Sequence, residues 1–258
     1  MGLAFFFYDV AYLLLATLCY GGAAWAGVRA FTALGPVLPW PLAVFPALVC
    51  GLLVLIAEVG ALTALCPRLV PGRHRLLKGP VFYSWVVRQL LRRLLFVPGL
   101  KWLLFTSHTL RFLALRALGA KVAYTANMSN DVELVDPALL TLGPGSTLGS
   151  RCYLAGHFIE NQKLYLAEVK VGAGALVGMQ VLLGPGVELG ANVLVKTGAE
   201  LGLQTQVAEG AIIGVKAAID SFVVIGARAQ IATGAYVPPR TKIADDAWFP
   251  ERPAVPRS

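Results

Sequence analysis

The chain of 258 residues is 57% hydrophobic and only 14% charged, which argues against an ordinary soluble protein and for residence in a membrane. Its formal net charge of +8 indicates an anionic partner. Residues 68–121 hold eleven Lys or Arg and no Asp or Glu, directly after the most apolar part of the chain. This position favours a membrane surface over nucleic acid. The four cysteines form no CxxC pair, so neither a disulfide framework nor a metal site is expected.

Two apolar runs near the N-terminus predict a transmembrane hairpin. Residues 10–28 are uncharged, and as a helix they span a hydrocarbon core of about 30 Å. A signal peptide is the competing interpretation, but no Lys or Arg precedes the run and no polar mature sequence follows it. A second run covers residues 41–66, after a connector with Gly35, Pro36 and Pro39. Because the cationic block follows the second run, we expect both ends of the hairpin in the cytoplasm.

Two carboxylates, Asp9 and Glu58, interrupt this apolar region. A carboxylate at the bilayer centre costs about 2.5–3.5 kcal/mol, and less near an interface. Two interpretations stay open. Either both residues simply lie near the headgroups or Glu58 is protonated, or else they pair with basic residues or line a cleft that binds the polar head of a substrate.

Two amphipathic segments follow the hairpin, at residues 80–98 and 100–118. Arginines interrupt both too often for a membrane span, so we predict helices that lie in the membrane interface. Gly119 is a plausible end for the second helix. The N-terminal domain is therefore expected to cover residues 1–120.

From residue 171 onward an aliphatic residue occurs at every sixth position without a miss. A glycine follows it seven times, and the fifth position is always small or β-branched. A period of six is typical of a β-helix, in which each hexad is one short strand plus a turn. Three hexads close one coil of a triangular prism, and coils stack about 4.8 Å apart. We predict a mainly β chain with a parallel β-helix over residues 121–243 and a tail over residues 244–258. The series is Val171, Val177, Leu183, Leu189, Val195, Leu201, Val207, Ile213, Ile219, Ile225, Ile231 and Val237.

Upstream of residue 171 the phase of the repeat slips twice. From Leu154 to Val171 is seventeen residues, one short of a full coil, so we expect one irregular coil there. It contains residues 156–161, and such an irregularity marks either a site or a simple insertion or deletion. The two upstream registers are Val122, Met128, Leu134 and Leu140, and then Leu142, Leu148 and Leu154.

The repeat resembles that of the hexapeptide-repeat acyltransferases. More closely, the chain resembles membrane-linked hexapeptide proteins related to the terminal domains of poly-lysine-type nonribosomal peptide synthetases. The likeness covers about half the chain. It rests on GHF at 156–158, KLYLAEV at 163–169, LRALGAKV at 115–122, and the hexad starts VG, VG, LGPGV and LG at 171, 177, 183 and 189.

This resemblance implies a left-handed β-helix, a homotrimer, and acyl-CoA bound in a groove between neighbouring prisms. It also implies a histidine that acts as general base on the acceptor hydroxyl or amine. Of the three histidines only His157 falls in the β-helix, so it is the candidate catalytic base; a solvent-exposed turn residue is the alternative. The chain lacks the His-Asn pair of soluble sugar acetyltransferases.

Further site residues are predicted if the irregular coil is aligned with the regular coils, so that its corners lie above theirs. His157 would then share a corner of the prism with Gly174, Asn192, Gly210 and Arg228. Asn161 and Asn192 are candidates to bind the acceptor or the thioester. Arg228 or Lys216 is a candidate to bind a phosphate of CoA.

The function expected from these features is a membrane-bound transfer of an acyl group, acetyl among the candidates, to an amphiphilic or membrane-delivered acceptor. The expected location is a bacterial inner membrane, with the β-helix on the cytoplasmic face. A biosynthetic synthetase or a lipid-linked acceptor is a candidate partner beside membrane lipid. The alternative is a non-catalytic trimeric scaffold or accessory module. A γ-type carbonic anhydrase, which needs three histidines around a metal, fails because the other two lie in the N-terminal half.

Overall fold

A computed structural model describes the backbone of residues 2–250 and the side chains of residues 6–250. The chain forms two compact units. Of the described residues, the first contains 2–67 and 86–119, and the second contains 68–85 and 120–250. The segment Arg68–Trp85 therefore clusters with the β-helix, although it precedes the expected boundary at residue 120.

The first unit begins with two long apolar helices, α1 (Gly2–Leu34) and α2 (Trp40–Leu65). By length and composition, Phe6–Leu34 and Trp40–Leu65 are able to cross a membrane. Small residues let the two backbones approach closely, since a Cβ added at Gly51 would lie 2.9 Å from the carbonyl oxygen of Ala23.

Three shorter helices follow in the chain: α3 (Pro80–Leu95), α4 (Pro98–Thr106) and α5 (His108–Ala117). The single helix expected over residues 100–118 is two helices, because the Ser107 hydroxyl accepts the N–H of Leu110 and starts α5 anew. The end expected at Gly119 agrees with its φ of +90°. Fully buried side chains in this unit include Leu90, Leu91, Leu94, Leu95, Leu104, Phe105 and Leu115.

The second unit is a left-handed parallel β-helix of about seven turns. The hexads predict the parallel β-helix, and the resemblance implies its left-handed sense. Its first sheet has the order β2-β5-β10-β13-β16-β19-β22, its second β23-β20-β17-β14-β11-β6-β3, and its third β21-β18-β15-β12-β7-β4. A separate antiparallel sheet has the order β1-β9-β8. The strands are β1 (Gly72–Arg75), β2 (Lys121–Val122), β3 (Asn127–Met128), β4 (Glu133–Leu134), β5 (Leu140–Leu142), β6 (Thr147–Leu148), β7 (Tyr153–Leu154), β8 (His157–Glu160), β9 (Lys163–Leu166), β10 (Val169–Val171), β11 (Leu176–Val177), β12 (Leu182–Leu183), β13 (Glu188–Leu189), β14 (Leu194–Val195), β15 (Glu200–Leu201), β16 (Gln206–Val207), β17 (Ile212–Ile213), β18 (Ala218–Ile219), β19 (Val224–Ile225), β20 (Gln230–Ile231), β21 (Tyr236–Val237), β22 (Lys242–Ile243) and β23 (Trp248–Phe249).

The period of six has the expected physical cause. The last residue of each short strand points into the prism, and Val171 stacks on Leu189 and Leu189 on Val207 in neighbouring coils. Small residues such as Ala175 and Ala211 are fully buried at the corners. Strand β23 extends the β-helix past residue 243, into the segment expected to be a tail.

Both phase slips fall at the same corner of the prism, between the third and the first sheet. From Leu134 to Leu142 is eight residues instead of six, and the 3-10 turn Pro137–Leu139 accommodates the two extra residues. From Leu154 to Val171 is seventeen instead of six, and the β8–β9 hairpin accounts for most of the eleven extra residues. The expectation of one irregular coil is therefore wrong, because these seventeen residues join two consecutive sheets directly. We call residues 135–139 and 155–168 the insertion corner.

Candidate functional site

The insertion corner brings together two side chains from neighbouring coils. Leu134 pairs with Leu154 in the parallel strands β4 and β7, so the residues that follow each of them lie side by side. Asp136 comes two residues after Leu134, and His157 comes three after Leu154. His157 Nδ1 and Asp136 Oδ2 lie 2.6 Å apart.

Asp136 is held by several donors and is shielded from water. Its side chain is only 1% exposed, whereas that of His157 is 20% exposed. Oδ2 also accepts the backbone N–H of Gly156 at 2.9 Å, and Oδ1 accepts the indole N–H of Trp85 at 3.0 Å. Because an ionised Asp136 only accepts, the bond to His157 requires a proton on Nδ1. In the neutral imidazole, Nε2 then carries the lone pair and is able to act as a base.

Two further contacts restrict the imidazole. The rings of Trp85 and His157 meet edge to face, with centroids 4.8 Å apart and an interplanar angle of 65°. A Cβ added at Gly156 would lie 2.8 Å from the Cβ of Leu139, in the 3-10 turn of the neighbouring coil. Glycine therefore lets the backbone approach Asp136 closely enough to donate to it.

The hairpin places Asn161 at its tip. Asn161 and Gln162 have φ of +47° and +57°, as a two-residue hairpin turn requires. Strand β1 pairs with β9 on the side away from β8, and Phe158 packs on Tyr165 with ring centroids 4.9 Å apart. The Gln204 amide donates to the Tyr165 hydroxyl, which ties the hairpin to a lower coil. The exposed side chain of Asn161 is thus a turn residue, and its expected role in binding substrate stays a prediction.

The corner expected for His157 is wrong. On the coils that follow in the chain, the corresponding positions come three residues after each strand of the third sheet. They are Gly186, Gln204, Phe222 and Arg240. The physical reason is that the β8–β9 hairpin is inserted within a single corner, so the seventeen residues from Leu154 to Val171 are six plus eleven and not a coil of eighteen with one residue missing.

The other predicted β-helix residues lie at different corners. Asn192 and Arg228 follow strands of the first sheet, where the Asn192 N–H donates to the Ala173 carbonyl at 2.8 Å. Lys216 follows a strand of the second sheet. The guanidinium of Arg228 forms two bonds of 2.6 Å with the carboxylate of Asp246. Within the described chain, the fold therefore brings none of these three residues to His157.

The two carboxylates of the N-terminal region belong to the first unit. Asp9 is exposed. Glu58 lies on α2, and its carboxylate occupies the space that a side chain at Gly22 of α1 would need. Its Oε2 atom is buried without a hydrogen-bond partner among the described residues.

A separate carboxylate, Asp131, contributes to the corner between the second and third sheets. The hydroxyls of Ser129 and Ser150 donate to it at 2.7 and 2.5 Å. These two hydrogen bonds, with Ser129 contributing most, lower the pKa of Asp131 to about 2. Asp131 is therefore ionised at neutral pH, and it joins two neighbouring coils.

Sequence reasoning identified His157 but missed Asp136 and Trp85. Asp136 directly precedes Pro137, which starts the first insertion. The spacing of eight residues between Leu134 and Leu142 was therefore the one sequence signal that pointed to this corner. Trp85 lies 51 residues before Asp136 and outside the repeat, and no spacing in the sequence indicates that contact.

The fold and the repeat define a parallel β-helix built from six-residue repeats, here with a His-Asp pair whose carboxylate is buried. No protein-family model matches the chain, and no curated protein matches it.

Several solved structures are similar in part. They include the N-acyltransferase AntD from Bacillus cereus in complex with dTDP and 3-hydroxybutyryl-CoA, at 13% identity and a TM-score of 0.38, covering 51% of this chain and 78% of that one. PerB from Caulobacter crescentus, in complex with CoA and GDP-perosamine, is 15% identical with a TM-score of 0.26, covering 56% and 62%. LpxA, a UDP-N-acetylglucosamine acyltransferase from Bacteroides fragilis, is 16% identical with a TM-score of 0.24, covering 47% and 52%. At these values the similarities carry no argument about activity.

Proposed function

We propose that the chain is an acyltransferase that moves an acyl group from acyl-CoA to a hydroxyl or amine, with His157 as general base. The observation that carries this proposal is the 2.6 Å contact between His157 Nδ1 and the buried carboxylate of Asp136. The resemblance of the repeat to hexapeptide-repeat acyltransferases supplies the class of donor.

In the proposed reaction, Nε2 of His157 takes the proton from the acceptor O–H or N–H while the acceptor attacks the thioester carbonyl. The tetrahedral intermediate collapses, the C–S bond breaks, and the imidazolium returns its proton to the departing thiolate. The products are the acylated acceptor and free CoA. Asp136 keeps the proton on Nδ1 and stabilises the imidazolium without being protonated itself.

The proposal places this reaction at a membrane. Two helices that are able to span a bilayer precede the β-helix, and a cationic block follows them. These features favour a bacterial inner membrane with the β-helix in the cytoplasm, and a lipid-linked or otherwise amphiphilic acceptor. Gly35→Cys tests the orientation, in a variant whose four native cysteines are replaced by alanine. Labelling from outside is expected, and labelling only from inside would reject the hairpin.

We also propose a homotrimer that packs through the second sheet. Its outward positions carry an apolar row, Leu176, Leu194 and Ile212, in register on neighbouring coils. The first sheet instead presents the ion pair of Lys170 and Glu188. An interface between copies buries apolar side chains at its centre. Native mass measurement should show three chains for the parent and for Gln206→Glu on the first sheet, but one chain for Leu194→Glu. A parent that is active as a single chain would overturn the trimer.

The activity itself is tested on the detergent-solubilised full chain. A panel of acyl-CoAs is supplied with an extract of membrane lipids, and release of free CoA thiol is followed. We expect release from at least one acyl-CoA that depends on the extract. If no acyl-CoA is consumed faster than in buffer, although free CoA binds, the non-catalytic alternative replaces the proposal.

A further inference from the structure

The segment Arg68–Trp85 lies between α2 and the main part of α3 in the sequence, yet it is part of the β-helix unit. Its strand β1 pairs antiparallel with β9, Gly72 opposite Leu166 and Arg75 opposite Lys163. The N–H of Leu76 then donates to the Gln162 carbonyl at the hairpin turn. The segment is therefore bound along the full length of the hairpin that begins with His157.

The same segment ends at the candidate site. Phe82 is 7% exposed and packs on Trp85, with ring centroids 6.0 Å apart. Trp85 in turn donates its indole N–H to Asp136 Oδ1 at 3.0 Å and places its ring 4.8 Å from that of His157. One residue from outside the repeat thus contacts both members of the His-Asp pair.

The two oxygens of Asp136 face different donors. Oδ1 accepts from Trp85, while Oδ2 accepts from Gly156 and contacts His157. A carboxylate rotates about a soft terminal torsion, so a donor on one oxygen determines where the other points. An indole is suited to fixing the orientation of the carboxylate, because its rigid ring has few torsions of its own.

We propose that Trp85 is a positioning residue of the acyl transfer, which holds Asp136 so that its second oxygen meets His157 Nδ1. The inference rests on the proposed function for its effect on turnover. It also means that the site is incomplete without the segment Arg68–Trp85, although the repeat begins at residue 121.

Turnover provides the first test. Trp85→Phe keeps a ring beside His157 but removes the indole donor, and it should lower kcat about 10-fold while KM for acyl-CoA stays within about 2-fold. Trp248→Phe is the matched control, since Trp248 is 65% exposed, and it should match the parent. Parent-like kcat for Trp85→Phe, in a protein of unchanged melting temperature, overturns the proposal.

A double variant separates positioning from general structural damage. If Trp85 acts through Asp136, adding Trp85→Phe to Asp136→Asn should cost less than about 2-fold more. If the two losses multiply instead, Trp85 acts independently of Asp136 and the proposal is wrong.

A second readout does not need the activity. The indole of Trp85 lies beside the imidazole of His157 and donates its N–H to Asp136, so its fluorescence emission depends on both side chains. His157→Ala and Asp136→Asn should each shift the tryptophan emission of the parent, but neither should shift that of Trp85→Phe. An equal shift in both backgrounds contradicts the contacts. If the parent consumes no acyl-CoA, the proposed function fails, while this comparison still decides whether Trp85 contacts Asp136 and His157.

Discussion

Two corners of the same β-helix show what an insertion does to a repeat. At the corner after the first sheet, coils of equal length stack by backbone hydrogen bonds, such as Asn192 N–H to the Ala173 carbonyl and Arg228 N–H to the Glu209 carbonyl. At the insertion corner the N–H of Gly156 donates instead to a side chain, the carboxylate of Asp136. The regular corner stacks its coils through backbone hydrogen bonds, whereas the insertions bring the side chains of Asp136 and His157 within hydrogen-bonding distance of each other.

The largest expected difference between the two corners concerns Asp136. Asp136→Asn should lower turnover of acyl-CoA by about 10²- to 10³-fold, because the amide no longer requires the proton on Nδ1 or stabilises the imidazolium. The matched change at the regular corner, Arg228→Gln, should alter turnover less than about 3-fold. Equal losses at the two corners would remove the distinction on which the proposed site depends.

A smaller effect is expected for Gly156→Ala. The new Cβ would lie 2.8 Å from the Leu139 Cβ and 3.1 Å from the Ala167 carbonyl, so the backbone beside His157 must shift. We expect about a 10-fold loss of turnover and about 1–3 kcal/mol of unfolding free energy. Gly145→Ala is the control: its φ is +68° and its added Cβ would make only an ordinary contact of 4.0 Å with the Gly174 nitrogen, so it should cost about 1 kcal/mol and no activity. If Gly156→Ala loses turnover only to the extent that it lowers the folded fraction, a backbone shift beside His157 is not the cause of the loss.

The smallest effect concerns Asp131, which joins coils at another corner. Its pKa is lowered to about 2 in the folded protein, so its stabilising contribution is present above about pH 4 and is lost as the pH falls toward 2. Asp131→Asn should therefore cost about 1 kcal/mol at pH 7, a value reduced because the residue is partly exposed, and almost nothing near pH 2. Denaturant unfolding at the two pH values measures this, and turnover at pH 7 should stay at the parent level. A cost that is equal at both pH values would show that the charge is not responsible.

The regular part of the β-helix was predictable because each hexad is a local unit whose inward residue must be aliphatic. The strict series from Val171 to Val237 is buried in the structure, which confirms this prediction. The two apolar helices were equally clear, since their length and composition are local properties.

The site was predictable only in part. His157 is conspicuous as a single histidine in an irregular stretch, but its neighbours depend on which corner that stretch occupies. Counting seventeen residues as a shortened coil placed it beside Asn192 and Arg228, whereas counting six plus eleven places it beside Asp136. The positions of Trp85 and β1 could not be predicted from the sequence, because the six-residue period carries no information about an antiparallel pairing between distant segments.

The most direct test of the central claim compares two histidine variants at matched expression. His157→Ala should keep a folded, membrane-bound protein but lose about 10²- to 10⁴-fold in acyl-CoA turnover, as expected for removal of a general base. His108→Ala removes a histidine of the first unit, whose Nδ1 lies 2.8 Å from the Arg111 guanidinium, and it should match the parent. Near-parent turnover of His157→Ala would contradict the account, and an inactive His108→Ala beside it would move the catalytic base to the N-terminal unit.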